Sequence, residues 1–241
     1  MKVIKIILIL TLVLSMVIVF SGCEADNIKL PQNSDAPSRS ELETDLQNTA
    51  SSTISSMLSP VDYGEVEIDE DFDYSKISNF VRIDIAEYGS IFIELRPDVA
   101  PVTVNNFKKL VLDGFYDGLV FHRVVKDFMV EGGEMDTDGV IHDSQMIYGE
   151  FAQNNFTNNL PHVKGVISMS RKNIPDSASS GFFIVCDDAP QLDSRYAAFG
   201  YVVGGMSVLE AIENAEVGAN DVPASPIVIE KIIFMIEKME G

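Results

Sequence analysis

The stretch "VFHRVVKDFMVEGG", residues 120–133, sets a guanidinium among residues that build a buried sheet. Val120, Phe121, Val124 and Val125 are core-facing types, while Arg123 is always charged and costly to bury without a partner. Glu131 and two glycines follow, and no activated nucleophile accompanies them. A guanidinium fixed among aromatic and β-branched residues, with an acid nearby and no obvious nucleophile, leaves open what chemistry it serves.

Elements on either side must hold that arginine in place. In "NFVRIDIAEYGSIFIEL" apolar residues alternate around a Tyr-Gly-Ser turn, with Val81, Ile83 and Ile85 on one arm and Ile91, Ile93 and Leu95 on the other. This spacing predicts a β-hairpin. "APVTVNNFKKLVLDG" changes to helical spacing, with Val104, Phe107, Leu110 and Val111 on one face, Pro101 in the first turn and Gly114 at the end. Short β-segments follow in "LVFHRVV", "FMVEG", "GVISMSR", "GFFIVC" and "AAFGYVV". A second helix is expected at "SVLEAIENA", opened by a Ser207–Glu210 capping box, and "SPIVIEKIIFMIE" closes with a strand. Many short strands and two helices predict a mainly β fold, an antiparallel barrel with helices covering its ends. No internal repeat is visible.

The chain has 241 residues and a formal charge of −20, which argues against nucleic acid as a partner. His142 and His162 lie far from any metal-ligand spacing and are expected at the surface; no metal or cofactor is implied. Two cysteines occur, Cys23 and Cys186. Lys2 and Lys5, then an apolar stretch ending at Ser21-Gly22-Cys23, are the parts of an export signal over residues 1–22. This reading outweighs a spanning helix, because the small residues sit where cleavage would fall. Residues 23–77 read as a flexible tether: residues 24–75 hold thirteen acids against Lys29 and Arg39, a net −11. Cys186, within "GFFIVCDD", reads as a small core residue.

Two resemblances follow. Phe20-Ser21-Gly22-Cys23 resembles the lipobox of bacterial lipoproteins, with Phe20 in place of the usual Leu. That resemblance implies acylation of Cys23 and a lipid anchor at the extracytoplasmic face of the cell membrane. "APVTVNNF", "GFYDGLVFHRVVKDFMVEGG", "ISMSR", "SASSGFFIV" and "LDSRYAAFGYVVGGMSVLEAI" occur in the order seen in cyclophilins, so that residues 78–241 resemble this family of peptidyl-prolyl cis-trans isomerases. The resemblance implies a closed eight-stranded antiparallel barrel capped by two helices, and Arg123 as the catalytic donor to the prolyl carbonyl. It further implies a proline-ring pocket of Phe128, Met129, Phe183 and Leu192, with Ser170 and Arg171 lining the groove and His122 beside the arginine.

Departures from the family pattern mark this chain. Glu131 stands where a Gln usually bonds the arginine and substrate, and can accept from Arg123 but not donate. Gly181 replaces a Gln before the two phenylalanines, Tyr196 replaces a His as an aromatic wall, and Gln191 replaces a Trp important for cyclosporin, so weak cyclosporin binding is expected. The resulting expectation is an anchored, monomeric folding catalyst for exported or unfolded proteins containing Xaa-Pro bonds. The alternative is a module that binds proline segments with weak or no turnover.

Overall fold

The computed structural model describes residues 57–64 and 71–237 of the chain. The export-signal and lipobox readings, Cys23, and most of the expected tether lie outside the described residues. Among the described residues the elements are β1 (Leu58–Val61), β2 (Phe80–Ile85), β3 (Gly89–Leu95), α1 (Pro101–Leu112), β4 (Leu119–Val125) and β5 (Met129–Asp136). They continue with β6 (Val166–Met169), β7 (Phe182–Val185), β8 (Ala198–Gly204), α2 (Met206–Glu213) and β9 (Ile227–Glu237).

The sheet runs β1-β9-β2-β3-β8-β6-β7-β5-β4, and pairing of β4 with β9 closes β2 to β9 into an eight-stranded antiparallel barrel. Period-2 patterning sets the register. Val81 pairs with Ile93 and Ile83 with Ile91, so one row of β-branched side chains faces inward, all of them fully buried. The hairpin turn falls two residues earlier than expected, over Ala86 to Tyr88, because Glu87 takes the left-handed conformation and Gly89 already pairs with Ile85. Gly133 has φ +84°, and a Cβ there would stand 2.6 Å from the Phe182 ring, which accounts for the second glycine of "EGG".

α1 buries Val104, Phe107, Leu110 and Val111, as its spacing predicts. Its N-cap, Ala100, offers no side-chain bond. Instead the fully buried Glu150 reaches in from a distant loop and accepts from the Val102 and Thr103 N–H groups at 3.0 and 2.8 Å. A carboxylate on those orphan donors is favoured by the helix dipole and ties the loop to the barrel. Lys108 is also buried on α1. Its Nζ donates to Tyr74 O at 3.0 Å, Ile77 O at 2.8 Å and Asn79 Oδ1 at 2.8 Å.

Three expectations change. The capping box at α2 does not form: the helix begins at Met206 after Gly205 in the left-handed conformation, and Glu210 accepts instead from Lys164 Nζ at 2.8 Å. The segment 57–64, assigned by composition to the tether, adds a ninth strand outside the barrel, with Leu58 to Val61 paired against Phe234 to Glu237 of β9. Leu58 packs on Phe92, Val203 and Met235, enough apolar surface to order it. His162 is buried rather than at the surface, whereas His142 is exposed. Cys186 is a buried core residue, and burial pushes its thiol up to about 12.

Candidate active site

The register of β4 against β5 places Arg123 directly opposite Glu131. Arg123 Nη1 donates to Glu131 Oε2 at 3.4 Å, and the other carboxylate oxygen of Glu131 accepts a short bond from the Ser170 hydroxyl. The acid therefore bridges the end of β6 to the arginine of β4 and holds the guanidinium toward β5. Asp221, in the turn before β9, approaches Arg123 Nε at 3.6 Å. The arginine side chain keeps 41% of its surface exposed, so it remains open to a ligand between its two acids.

Beside it lies a pocket of about 200 Å³. Met129 of β5, Phe183 of β7 and Leu192 of a short 3₁₀ turn form its buried floor, and Phe128 and Tyr196 its walls. Tyr196 packs edge-on to Phe183 with ring centroids 5.6 Å apart. Ser170 and Arg171 complete the groove. Arg171 is fixed by stacking on Tyr196 at 4.7 Å and Phe151 at 4.9 Å, and its Nε donates to Arg195 O at 2.9 Å. The sequence-derived set of Arg123, Glu131, the four ring-pocket residues, the two groove residues and Tyr196 thus meets in one place.

His122 does not line this pocket. Its Nε2 faces Glu134 at 3.8 Å, and its Nδ1 is buried without a hydrogen-bond partner. Burial, aided by the Glu131 and Asp143 charges, pushes the Glu134 carboxyl above its ordinary range against the pull of His122. Glu134 also lies against Gly181: a Cβ at residue 181 would stand 2.7 Å from Glu134 Oε2, the movable end of that side chain.

Residue-by-residue reading missed His162. Its ring lies stacked behind Phe183, centroids 6.0 Å apart and planes 19° from parallel. Nδ1 meets Asp193 Oδ1 at 2.9 Å and Nε2 meets Ser168 Oγ at 2.9 Å. Because a carboxylate only accepts, Nδ1 carries the proton and Nε2 accepts from the serine hydroxyl. Burial lowers the His162 pKa against the opposing pull of Asp193, which favours this neutral form. The chain Asp193–His162–Ser168 ties the turn carrying Leu192 to β6 beneath the pocket. Its signal was not local, since Asp193 lies 31 residues away in sequence. Among the described residues no group of three or more His, Cys, Asp or Glu could hold a metal ion.

The molecule is thus a closed antiparallel barrel with an arginine at the rim of an apolar side pocket. Residues 80–233 match the family described as cyclophilin type peptidyl-prolyl cis-trans isomerase/CLD, and the chain belongs to that family. It is 37% identical over 148 residues to peptidyl-prolyl cis-trans isomerase ppi1 of Schizosaccharomyces pombe, covering 61% of this chain and 94% of that protein. It is 37% identical over 177 residues to peptidyl-prolyl cis-trans isomerase-like 2 of Rhizopus delemar, covering 72% of this chain but only 32% of that longer protein. A crystal structure of a Cryptosporidium parvum cyclophilin type isomerase, determined in the presence of the dipeptide Ala-Pro, superposes with a TM-score of 0.56 at 27% identity, covering 64% of this chain and 98% of that one.

Proposed function

We propose that this chain catalyses cis-trans isomerisation of Xaa-Pro bonds. The observation that carries the reading is the Arg123 guanidinium at the edge of the pocket floored by Met129, Phe183 and Leu192. Rotation about the imide bond is slowed by resonance, with a barrier of about 18–20 kcal/mol for peptide bonds generally. No bond is made or broken, so the task is to bind the twisted state better than either planar one. The apolar pocket receives the proline ring and fixes one side of the bond. Arg123 donates to the prolyl carbonyl oxygen and supports the imide nitrogen as conjugation is lost, acting where charge shifts. Glu131 and Ser170 keep the donor aimed.

The test uses the detergent-solubilised full chain on a proline-containing tetrapeptide, beside Arg123→Ala. Removing a donor of this kind lowers kcat/KM by about 10²–10³-fold. Equal rates in both proteins would discard Arg123 as the donor. A second reading, a module that binds proline segments with little turnover, is favoured by the Glu131 carboxylate, which competes with substrate for the guanidinium; peptide binding at the uncatalysed rate would select it.

Lipid anchoring belongs to the same proposal. The basic start, apolar run and Ser-Gly-Cys of residues 2–23 support acylation of Cys23 and residence outside the cytoplasmic membrane. The clients are then exported proteins still folding, and Gln191, exposed beside Leu192, supports weak cyclosporin binding. Cys23→Ala is expected to shift the protein to the soluble fraction, and its continued membrane retention would overturn the anchor.

A further inference from the structure

We infer that Asp221 is a positioning residue for Arg123, delivered by a turn held in an unfavourable backbone shape for that purpose; its kinetic consequence rests on the isomerase reading above. In the 3₁₀ turn Ala219–Asp221, Asn220 and Asp221 both have φ 61°, two successive non-glycine residues in the left-handed region. Each such residue is disfavoured, although Asn and Asp tolerate it best, and persists where its surroundings dictate it. Here the base of the turn is closed. Val217 bridges Pro223, Gly218 N–H donates to Val222 O at 2.7 Å, and Ala224 N–H donates to Glu216 O at 2.8 Å.

The chain must reverse inside that closed base, and in doing so it carries the Asp221 carboxylate to 3.6 Å from Arg123 Nε. Glu131 approaches a different nitrogen, Nη1, from β5. A guanidinium is a rigid plane, so two acids facing two of its nitrogens from two elements fix its direction, where one acid would leave it free to pivot. Both side chains of the Asp221 pair are about half exposed and the separation exceeds hydrogen-bond length, so the pair adds little to stability. Its effect falls on aim, which a donor to a shifting charge requires. The Asn220–Asp221 turn thus keeps a carboxylate on a backbone position that a glycine would occupy without strain.

Asp221→Gly separates the two effects, because it relaxes the turn and removes the carboxylate. The melting temperature is expected to hold or rise by a few degrees while kcat/KM on the proline tetrapeptide falls about three- to tenfold. Asp221→Asn is expected to lose as much with the turn retained, Asp221→Glu to restore at least half, and neither to change the residual rate in an Arg123→Ala background. Glu87→Gln, an exposed charge removal on the β2–β3 hairpin, controls for net charge and is expected to leave the rate unchanged. The Nε–Hε NMR signal of Arg123 is read in parallel, sharp in the wild type and exchange-broadened in Asp221→Gly. That readout stands even if the wild type shows no isomerase activity, so loss of the enzymatic reading and loss of this one are told apart. Full activity together with an unchanged Arg123 signal in Asp221→Gly overturns the assignment.

Discussion

Lys108 and Arg123 are both cations set among apolar residues, and their surroundings differ in every respect that matters. Lys108 is enclosed, and its ammonium is spent on two backbone carbonyls and the Asn79 side chain, with no acid paired to it among the described residues. Those bonds pin residues 74–79, the entry into β2, against α1. Burial pushes its pKa down to about 8, which still leaves it mostly protonated near neutrality. Arg123 instead faces two carboxylates and keeps 41% of its side chain open beside a pocket. The enclosed cation is held by neutral acceptors, whereas the one beside the pocket is aimed by charges and left accessible.

That contrast can be broken by exchanging the consequences of removing each cation. Arg123→Ala carries the largest expected effect, the loss of about two to three orders of magnitude in kcat/KM, with a thermal midpoint close to that of the wild type. Lys108→Met does the reverse. It orphans buried acceptors and is expected to lower unfolding free energy by about 2–4 kcal/mol in urea titration, while kcat/KM measured well below the midpoint stays within about twofold. A Lys108→Met protein as stable as the wild type but slow would make Lys108 part of the site and dissolve the distinction.

The smallest effect concerns His162, which sharpens the contrast by asking whether the pocket's backing is also neutral. Its pKa in the fold lies below the ordinary 6.5, so the unfolded chain takes up a proton first as pH falls. Stability is therefore expected to be complete above about pH 6.5 and to decline as pH drops from there toward the folded-state value. Asp193 is the charge that faces this ring, and it limits the decline. Urea midpoints at pH 7.5 and 5.5 are expected to differ more in the wild type than in His162→Gln, and equal differences would show that the imidazole does not titrate in that range.

The barrel and most of the groove were legible because their signals are local. Alternation in residues 80–95 specifies a hairpin, and an arginine amid Val and Phe stands out in a strand pattern. Phe183, Leu192 and Tyr196 were reached only through the family's motif order, since each alone reads as core. Three features carried no local signal. Lys108 follows Phe107 on a helix and reads as a solvated neighbour. His162 gains its meaning from Asp193 and Ser168, which only tertiary packing brings to it. Asp221 sits in a polar turn whose residue types permit a left-handed backbone without saying where the carboxylate points. The strand Leu58–Val61 was hidden differently: a composition average over an acidic flank conceals four residues with an apolar face.

That outer strand also decides where mechanical load would enter. A pull arriving along the chain from its N-terminal side meets the barrel at residues 234–237, the last part of β9, and acts across four residue pairs. The strand bearing Arg123 joins β9 at its opposite end, at Ile227 and Val228. A force applied on the N-terminal side of Leu58 would thus be taken up nearly the full length of a strand away from Arg123, so the groove can stay undistorted while β1 is loaded.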